Sequence, residues 1–420
     1  MTKAPKNKSG QRRVIPPFRA VQHVVRTLQR GGFEALLAGG CVRDKLLGKI
    51  PKDYDVATNA VPEEVVRLFP RTLTVGAQFG VVIVLYKGRQ IEVATFRSDM
   101  NYKDGRRPEK VVFTDARHDA LRRDFTINGM FYDLLVGEVI DYVGGKRDLQ
   151  KNIIRAIGDP LERFSEDHLR MLRAVRFAAR LQFKINPQTW QAILQLAPLL
   201  EKISSERIAA ELEMILTDPH RGRGARLVFD SGLLKVIFPG LEDEQLLTGM
   251  KVLERLPRRC SFDLALAGLL IETDSTQAEQ LCRFLKLSNR LRKHVKWLLS
   301  RRQELLDAIP LSKGNLKSWL NEPLFESLVQ LNRIYLRITG QSQSSLRQLR
   351  RQIKELGVEP IAPAPFLNGH DLINLGATAG PMVGQLAEEL YLAQLEDQVK
   401  SPAEARAWVK TWLIRHKENN

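Results

Sequence analysis

Cysteine is scarce in this 420-residue chain, and Cys41, Cys260 and Cys282 lie far apart, which excludes a disulfide framework and a zinc-type spacing. A reducing, cytoplasmic setting fits that usage. No apolar run approaches the ~20 residues that a membrane span needs, and the N-terminal stretch lacks the apolar core of a signal peptide, so no membrane partner is expected. The seven histidines are scattered, which argues against a His-based catalytic centre. A Walker-type glycine loop, a heptad seam and a repeat of fixed period are all missing. Acids are in the minority: 48 Asp and Glu face 65 Lys and Arg, a formal charge of +17, which points to a polyanionic partner such as nucleic acid. An acidic membrane is the weaker reading, because the basic residues are dispersed through segments that also carry acids. An ordinary basic surface is the bland alternative.

The length implies roughly two to four domains, and 44% hydrophobic residues suffice for their cores. Residues 1–33 carry eight basic residues and no acid. They read as an extended or disordered basic leader over 1–16 and a first helix over 17–30 with Val21, Val24, Val25 and Leu28 on its buried face. Strand-like runs then cover 35–38, 54–57, 81–86 and 90–96, with a short helix over 62–69 and a hairpin turn at 87–89. These describe a small mixed sheet.

The stretch 39–55 organises the chain. Gly39 and Gly40 permit a tight turn close to an anion, Arg43 follows, and Asp53-Tyr54-Asp55 would set two carboxylates on one face of a strand. Such a pair repels itself unless a hard divalent cation lies between. Glu92, on a neighbouring strand, reads either as a third acid beside the metals or as an edge-strand charge facing solvent. Residues 98–108 read as a mobile, charged loop able to close over a nucleotide, or as a mere connection. Arg122 and Arg123 are suited to forked hydrogen bonds with triphosphate oxygens.

Beyond residue 158 the pattern is helical almost to the end. Within 166–176, Asp167, Arg170, Arg173 and Arg176 recur at steps of three on a helix, where an acid and an arginine could read a base edge and later arginines hold phosphates. A salt-bridged helix face is the alternative; the use of arginine rather than lysine weighs against it. The densest basic segment, 283–302, reads as a helical pair with one wet basic face, and basic residues continue through 333–354.

Taken together, Gly39-Gly40-Cys41-Val42-Arg43-Asp44, Asp53-Tyr54-Asp55, Arg122-Arg123-Asp124-Phe125-Thr126-Ile127-Asn128 and Glu166-Asp167-x-x-Arg170 resemble the class II tRNA nucleotidyltransferase and poly(A) polymerase family of the polymerase beta superfamily, closely over about 35–240. The resemblance implies an α+β fold: a small mixed-sheet nucleotidyltransferase head over 17–158, then an elongated all-α neck (159–219), body (220–308) and tRNA-binding tail (309–420), with strands only in the head. It implies that Asp53 and Asp55 bind two Mg2+ ions, that Gly40 and Arg43 contact the triphosphate, and that Arg123 contacts the nucleotide. Asp167 and Arg170 would pair with the incoming base, with Arg173 and Arg176 behind them. ATP would be a substrate, with CTP left open, and the partner would be the 3′ end and acceptor arm of tRNA.

Poly(A) polymerases of this class typically carry an adjacent basic pair where this chain has Gly76-Ala77-Gln78-Phe79-Gly80, and an arginine-rich tail where this chain ends in Arg415-His416-Lys417 and three further residues. Both departures favour tRNA. The segment 98–108 resembles the flexible loop that CC-only enzymes lack, so addition of the terminal A is expected, with addition of C open. Poly(A) polymerase is the second reading. A catalytically silent RNA-binding protein is the third, and a small-molecule nucleotidyltransferase leaves the basic helical half without a role.

Overall fold

From α1 (Pro17–Arg30) the chain enters β1 (Ala35–Ala38), α2 (Gly40–Leu46), β2 (Asp55–Thr58), α3 (Pro62–Leu68), β3 (Thr72–Leu73), β4 (Val81–Tyr86) and β5 (Arg89–Thr95). There follow β6 (Arg97–Lys103), β7 (Arg107–Phe113), α4 (Ala116–Leu121), β8 (Met130–Tyr132), β9 (Val139–Asp141), α5 (Gly145–Gln150) and β10 (Ile153–Ile154). The computed structural model describes residues 16–74, 76–103, 107–357, 361 and 363–417, in two compact units that divide after Gly240. The basic leader lies, save residue 16, outside the described residues.

Seven strands of the first unit form one mixed sheet, ordered β3-β4-β5-β2-β1-β8-β9, in which β2 and β5 run parallel and every other neighbouring pair is antiparallel. The apolar stripe of α1, Ala20, Val21, Val24, Val25 and Leu28, is buried and packs on β1 and β5, as the helical spacing predicts. β1 is buried along its whole length at the centre of the sheet, which is why its sequence is an unbroken apolar run. β4 and β5 meet through a two-residue turn, with Lys87 at φ 45° and Gly88 at φ 77°, the conformation that suits the twist of a tight hairpin. Leu36, Ala38, Ala57, Phe96, Ala116, Ala120 and Phe131 form the core beneath the site.

Two expectations require correction. The segment 98–108 is not an open loop: β6 and β7 pair as an antiparallel ribbon, in which backbone groups find partners on the facing strand, and 104–106 fall outside the described residues. Strands are also not confined to the head. After α6 (Pro160–Glu166) and α7 (Leu169–Leu181), β11 (Lys184–Ile185) pairs in parallel with β10, a contact too short to leave a period in the sequence. α8 (Pro187–Leu196), α9 (Ser205–Leu216), α10 (Arg221–Asp230) and α11 (Leu233–Ile237) complete the first unit.

The described part of the second unit is helical throughout. The basic segment 283–302 does span a helical pair, α14 (Ser275–Phe284) and α15 (Asn289–Ala308), after α12 (Asp243–Arg255) and α13 (Phe262–Leu269). Its face is only partly wet, since Arg302 turns inward to donate to the Ile271 carbonyl at 2.8 Å. A separate cluster including Leu372, Leu386, Leu390, Val409 and Trp412 closes the C-terminal helices. Among the described residues, no helix is long and apolar enough to cross a membrane.

Within the head, α5 presses on the turn at 126–128: Thr126 Oγ1 donates to Asp148 at 2.8 Å, and a Cβ on Gly145 would stand 2.2 Å from the Thr126 carbonyl oxygen. Gly145→Ala must displace backbone and is expected to cost on the order of 2 kcal/mol or more, read as a lower urea midpoint; an unchanged midpoint would contradict this packing.

Candidate active site

Gly39 joins β1 to α2 with φ 70° and ψ −127°, a conformation strained for any residue with a Cβ, and a Cβ there would stand 2.9 Å from Arg123 Nη1. The glycine therefore admits both the turn and the arginine. Arg43, one helical turn on, is nearly fully buried; it donates to Asp44 Oδ1 at 2.7 and 2.9 Å and to Asn128 Oδ1 at 2.7 Å. Arg123 donates to Asp119 Oδ2 at 2.8 and 3.1 Å, and Arg122 pairs with the other oxygen of the same carboxylate at 2.6 Å. Burial alone would raise the Asp119 carboxyl, but the two guanidiniums hold it below its usual range.

Asp53, exposed, lies just before β2 rather than on it, while Asp55 begins the strand and lies in the wall of a cavity. Glu92 stands directly beside Asp55 on the parallel strand β5, which is interior to the sheet rather than at its edge, while the residue itself is exposed. The Asp55 carboxyl is pushed up to about 6, chiefly by loss of water in the concave wall and then by Glu92, with Arg123 opposing and Asp53 adding to the rise. Acids that raise Asp55 despite the nearby Arg123 are an electrostatic arrangement that a divalent ion would relieve. No group of three or more His, Cys, Asp or Glu among the described residues forms a ready-made metal cage. Cys41, nearby, is buried with its thiol pushed up to about 11, mainly by burial, and is an unsuitable nucleophile.

The run 166–176 is two helices. α6 ends at Glu166, and Asp167, at φ −149° and ψ 101°, interrupts the chain while its Oδ1 accepts from the Leu169 N–H at 3.1 Å to start α7. Asp167 and Arg170 share one turn without pairing to each other. Asp167 Oδ2 accepts from Arg207 at 2.8 Å, and buried Arg170 donates to Glu166 at 2.6 Å and to the Arg163 carbonyl at 2.9 Å. Arg173 places two donors on Asp124 Oδ2, at 2.6 and 3.0 Å, while Asp124 Oδ1 accepts from Phe125 N–H at 2.8 Å and Asn128 at 3.1 Å. Burial opposes ionisation of Asp124, yet Arg173 and these donors keep its carboxyl below the usual value; Asp124 in turn is the main cause that raises Arg173.

Arg176 and Glu211 approach to 3.0 Å, but neither atom of that contact makes a well-aligned hydrogen bond. Burial dominates both partners, raising Glu211 and lowering Arg176, so this pair is the looser joint. Phe177 lies among them, its ring centre 5.3 Å from the Arg43 guanidinium, 5.5 Å from that of Arg173 and 4.7 Å from that of Arg176.

A cavity of about 490 Å3 has Gly40, Arg43, Asp55, Arg123, Asp167, Arg170, Arg173 and Arg176 in its wall; of the residues singled out in the sequence, Asp53 and Glu92 do not line it. Sequence reasoning missed Asp119, Arg207, Glu211, Phe177 and Arg180. One signal was available: Glu211 interrupts the apolar face of α9 formed by Ile208, Leu212 and Ile215, where an acid needs a cationic partner.

Three family models match the chain: a poly A polymerase head domain over residues 35–155, a probable RNA- and SrmB-binding site of polymerase A over 182–245, and a putative tRNA nucleotidyltransferase domain 2 over 262–408. The chain is 35% identical over 412 residues to the CCA-adding enzyme of Geobacillus kaustophilus, spanning 96% of this chain and 99% of that one. It is 36% identical over 396 residues to the CCA-adding enzyme of Lactiplantibacillus plantarum, spanning 92% and 94%. Its fold matches the crystal structure of the Bacillus stearothermophilus CCA-adding enzyme in complex with CTP at a TM-score of 0.76 and 32% identity, covering 97% of this chain and 100% of that one. Fold and site together define a nucleotidyltransferase. The chain belongs to the tRNA nucleotidyltransferase family that contains the CCA-adding enzymes.

The raised Asp55 carboxyl has a stability consequence with a definite sign. The folded state holds this proton more tightly than the unfolded chain, so stability is lost as pH rises from the ordinary aspartate value, near 4, through about 6. Asp55→Asn in divalent-free buffer is expected to raise the melting temperature at pH 7 and to converge with the parent below about pH 4. A lower melting temperature at pH 7 would contradict the assignment.

Proposed function

We propose that this protein completes the CCA end of tRNA in the cytoplasm, adding C, C and A from CTP and ATP without a nucleic-acid template and releasing pyrophosphate. The observation that carries this reading is the single cavity that joins the Asp55 carboxylate and the glycine turn to the face formed by Asp167, Arg170, Arg173 and Arg176. Near full-length similarity to enzymes named CCA-adding supports addition of C as well as A. The +17 charge suits a polyanionic partner, and we assign the acceptor arm to the helical half, with neck, body and tail over 159–219, 220–308 and 309–420.

Asp53 and Asp55, with Glu92 as the adjacent third acid, have the donor chemistry to hold Mg2+. Such ions would lower the pKa of the RNA 3′-hydroxyl that attacks the α-phosphorus and offset charge on the departing pyrophosphate. The chain itself binds and positions. Gly40, Arg43 and Arg123 receive triphosphate oxygens, and Phe177 keeps Arg43 and the α7 arginines at a common level. Adenine and cytosine both present an amino donor beside a ring-nitrogen acceptor. Asp167, which retains free lone pairs, accepts from the amino group, and Arg170 donates to the ring nitrogen. Guanine and uracil offer the opposite order and would leave both residues unpaired in a confined site, a strong ground for rejection. Because Arg207 and Glu166 already fix the two side chains, little ordering is left for the moment of binding.

The head's match to poly A polymerase keeps one alternative product in view. tRNAs ending before CCA, after C and after CC are incubated with ATP, CTP or both. All three are expected to reach the same CCA end with both nucleotides present. Extension of the CC-ended tRNA alone would mark an A-adding enzyme, and a long A ladder a poly(A) polymerase; either result overturns the proposal.

A further inference from the structure

We propose that Arg180 is a substrate-binding residue, the guanidinium that receives the terminal phosphates of the incoming nucleoside triphosphate, the part that departs as pyrophosphate. This rests on the proposed nucleotidyl transfer and adds to it a residue beyond the face running from Asp167 to Arg176.

Seven arginines line the cavity. Six of them already hold an acid of the protein: Arg43 holds Asp44, Arg122 and Arg123 share Asp119, Arg170 holds Glu166, Arg173 holds Asp124, and Arg176 approaches Glu211. Those six are anchored, and a ligand meets whichever donors their acids leave over. The seventh, Arg180, is exposed, and among the described residues no ion pair or hydrogen bond joins it to an acid. An exposed guanidinium without an acid partner at the cavity wall, beside six that are each held by an acid, is suited to an anion that enters and leaves.

Its position selects which anion. Arg173, Arg176 and Arg180 stand at i, i+3 and i+7 on α7 and so share one face. Arg180 is ten residues beyond Arg170, ~15 Å along the helix axis, at the end away from the base-reading pair. Phe177, three residues before Arg180, is the ring flanked by Arg43 and Arg176, so the phosphate-binding turn lies level with this end of the helix. A nucleotide with its base at Asp167 and Arg170 and its phosphates passing Arg43 presents its last phosphates to Arg180. The like charges also matter: burial is the main cause that lowers Arg176, and Arg173 and Arg180 add repulsion that an entering polyphosphate would relieve.

The test uses the full chain carrying Arg180→Ala or Arg180→Lys, with ATP and AMP affinities measured by equilibrium titration in Mg2+ buffer and KM values measured for ATP, CTP and tRNA. Arg180→Ala is expected to weaken ATP about tenfold, leave AMP unchanged and raise KM for ATP and CTP alike. Arg180→Lys restores part of the loss. Affinity for tRNA and the melting temperature stay as in the parent, since the side chain is exposed and holds nothing in the fold. Equal effects on ATP and AMP, no effect on either, or a loss confined to tRNA would overturn the proposal, the last making Arg180 a contact to the RNA backbone. A parent protein that binds ATP but extends no tRNA would overturn the functional reading instead, and the ATP-to-AMP comparison would still decide the role of Arg180.

Discussion

Asp124 is the constraint on which the site depends. Its side chain is only 10% exposed, and an aspartate so placed is tolerated only when its charge is matched and its lone pairs are filled. Arg173 supplies the charge from α7, and Phe125 N–H and Asn128 fill the other oxygen. Asn128 in turn receives Arg43 from the helix that follows the glycine turn. One carboxylate thus ties the glycine turn, the 126–128 segment and α7 into a single polar network. Moving any one element would leave a buried charge or amide unpaired.

The same logic separates stable parts of the site from reactive ones. Arginines that must keep their place are held by acids, which pre-orients their remaining donors. Asp55 is treated in the opposite way: Glu92 and Asp53 stand close by, and its carboxyl is raised to about 6. The fold keeps acids close together at Asp55 and balances charge elsewhere in the site. Local rules are commonly broken in this way at functional positions.

Much of this was legible in the sequence because it depends on local pattern. Strands β1, β2, β4 and β5, the hairpin at Lys87 and Gly88, and the glycine turn before Arg43 follow from alternation, turn chemistry and spacing, whereas β3, β8 and β9, two or three residues long, are too short to leave a period. What spacing could not show was who pairs with whom. Asp167 and Arg170 look like partners at a helical step of three, yet Asp167 caps α7 and binds Arg207, while Arg170 binds Glu166. Arg173 finds Asp124 and Arg176 finds Glu211, each far away in the chain. The alternative of a salt-bridged helix face was therefore right about the fate of these arginines, and it is compatible with a binding face because each retains further donors. The ribbon at 97–113 was hidden because its charged, apolar-poor sequence lacks the alternation of a half-buried strand.

The most direct test of the account is a double-mutant cycle on nucleotide selection. Asp124→Asn, Arg173→Met and the double variant would be compared for the ratio of kcat/KM with ATP to that with GTP on a tRNA ending in CC. If the ion pair acts by holding α7 against the head, each single change lowers the ratio and the double variant is no worse than the poorer single one. Losses that multiply would show that the two residues act independently, and would contradict the account.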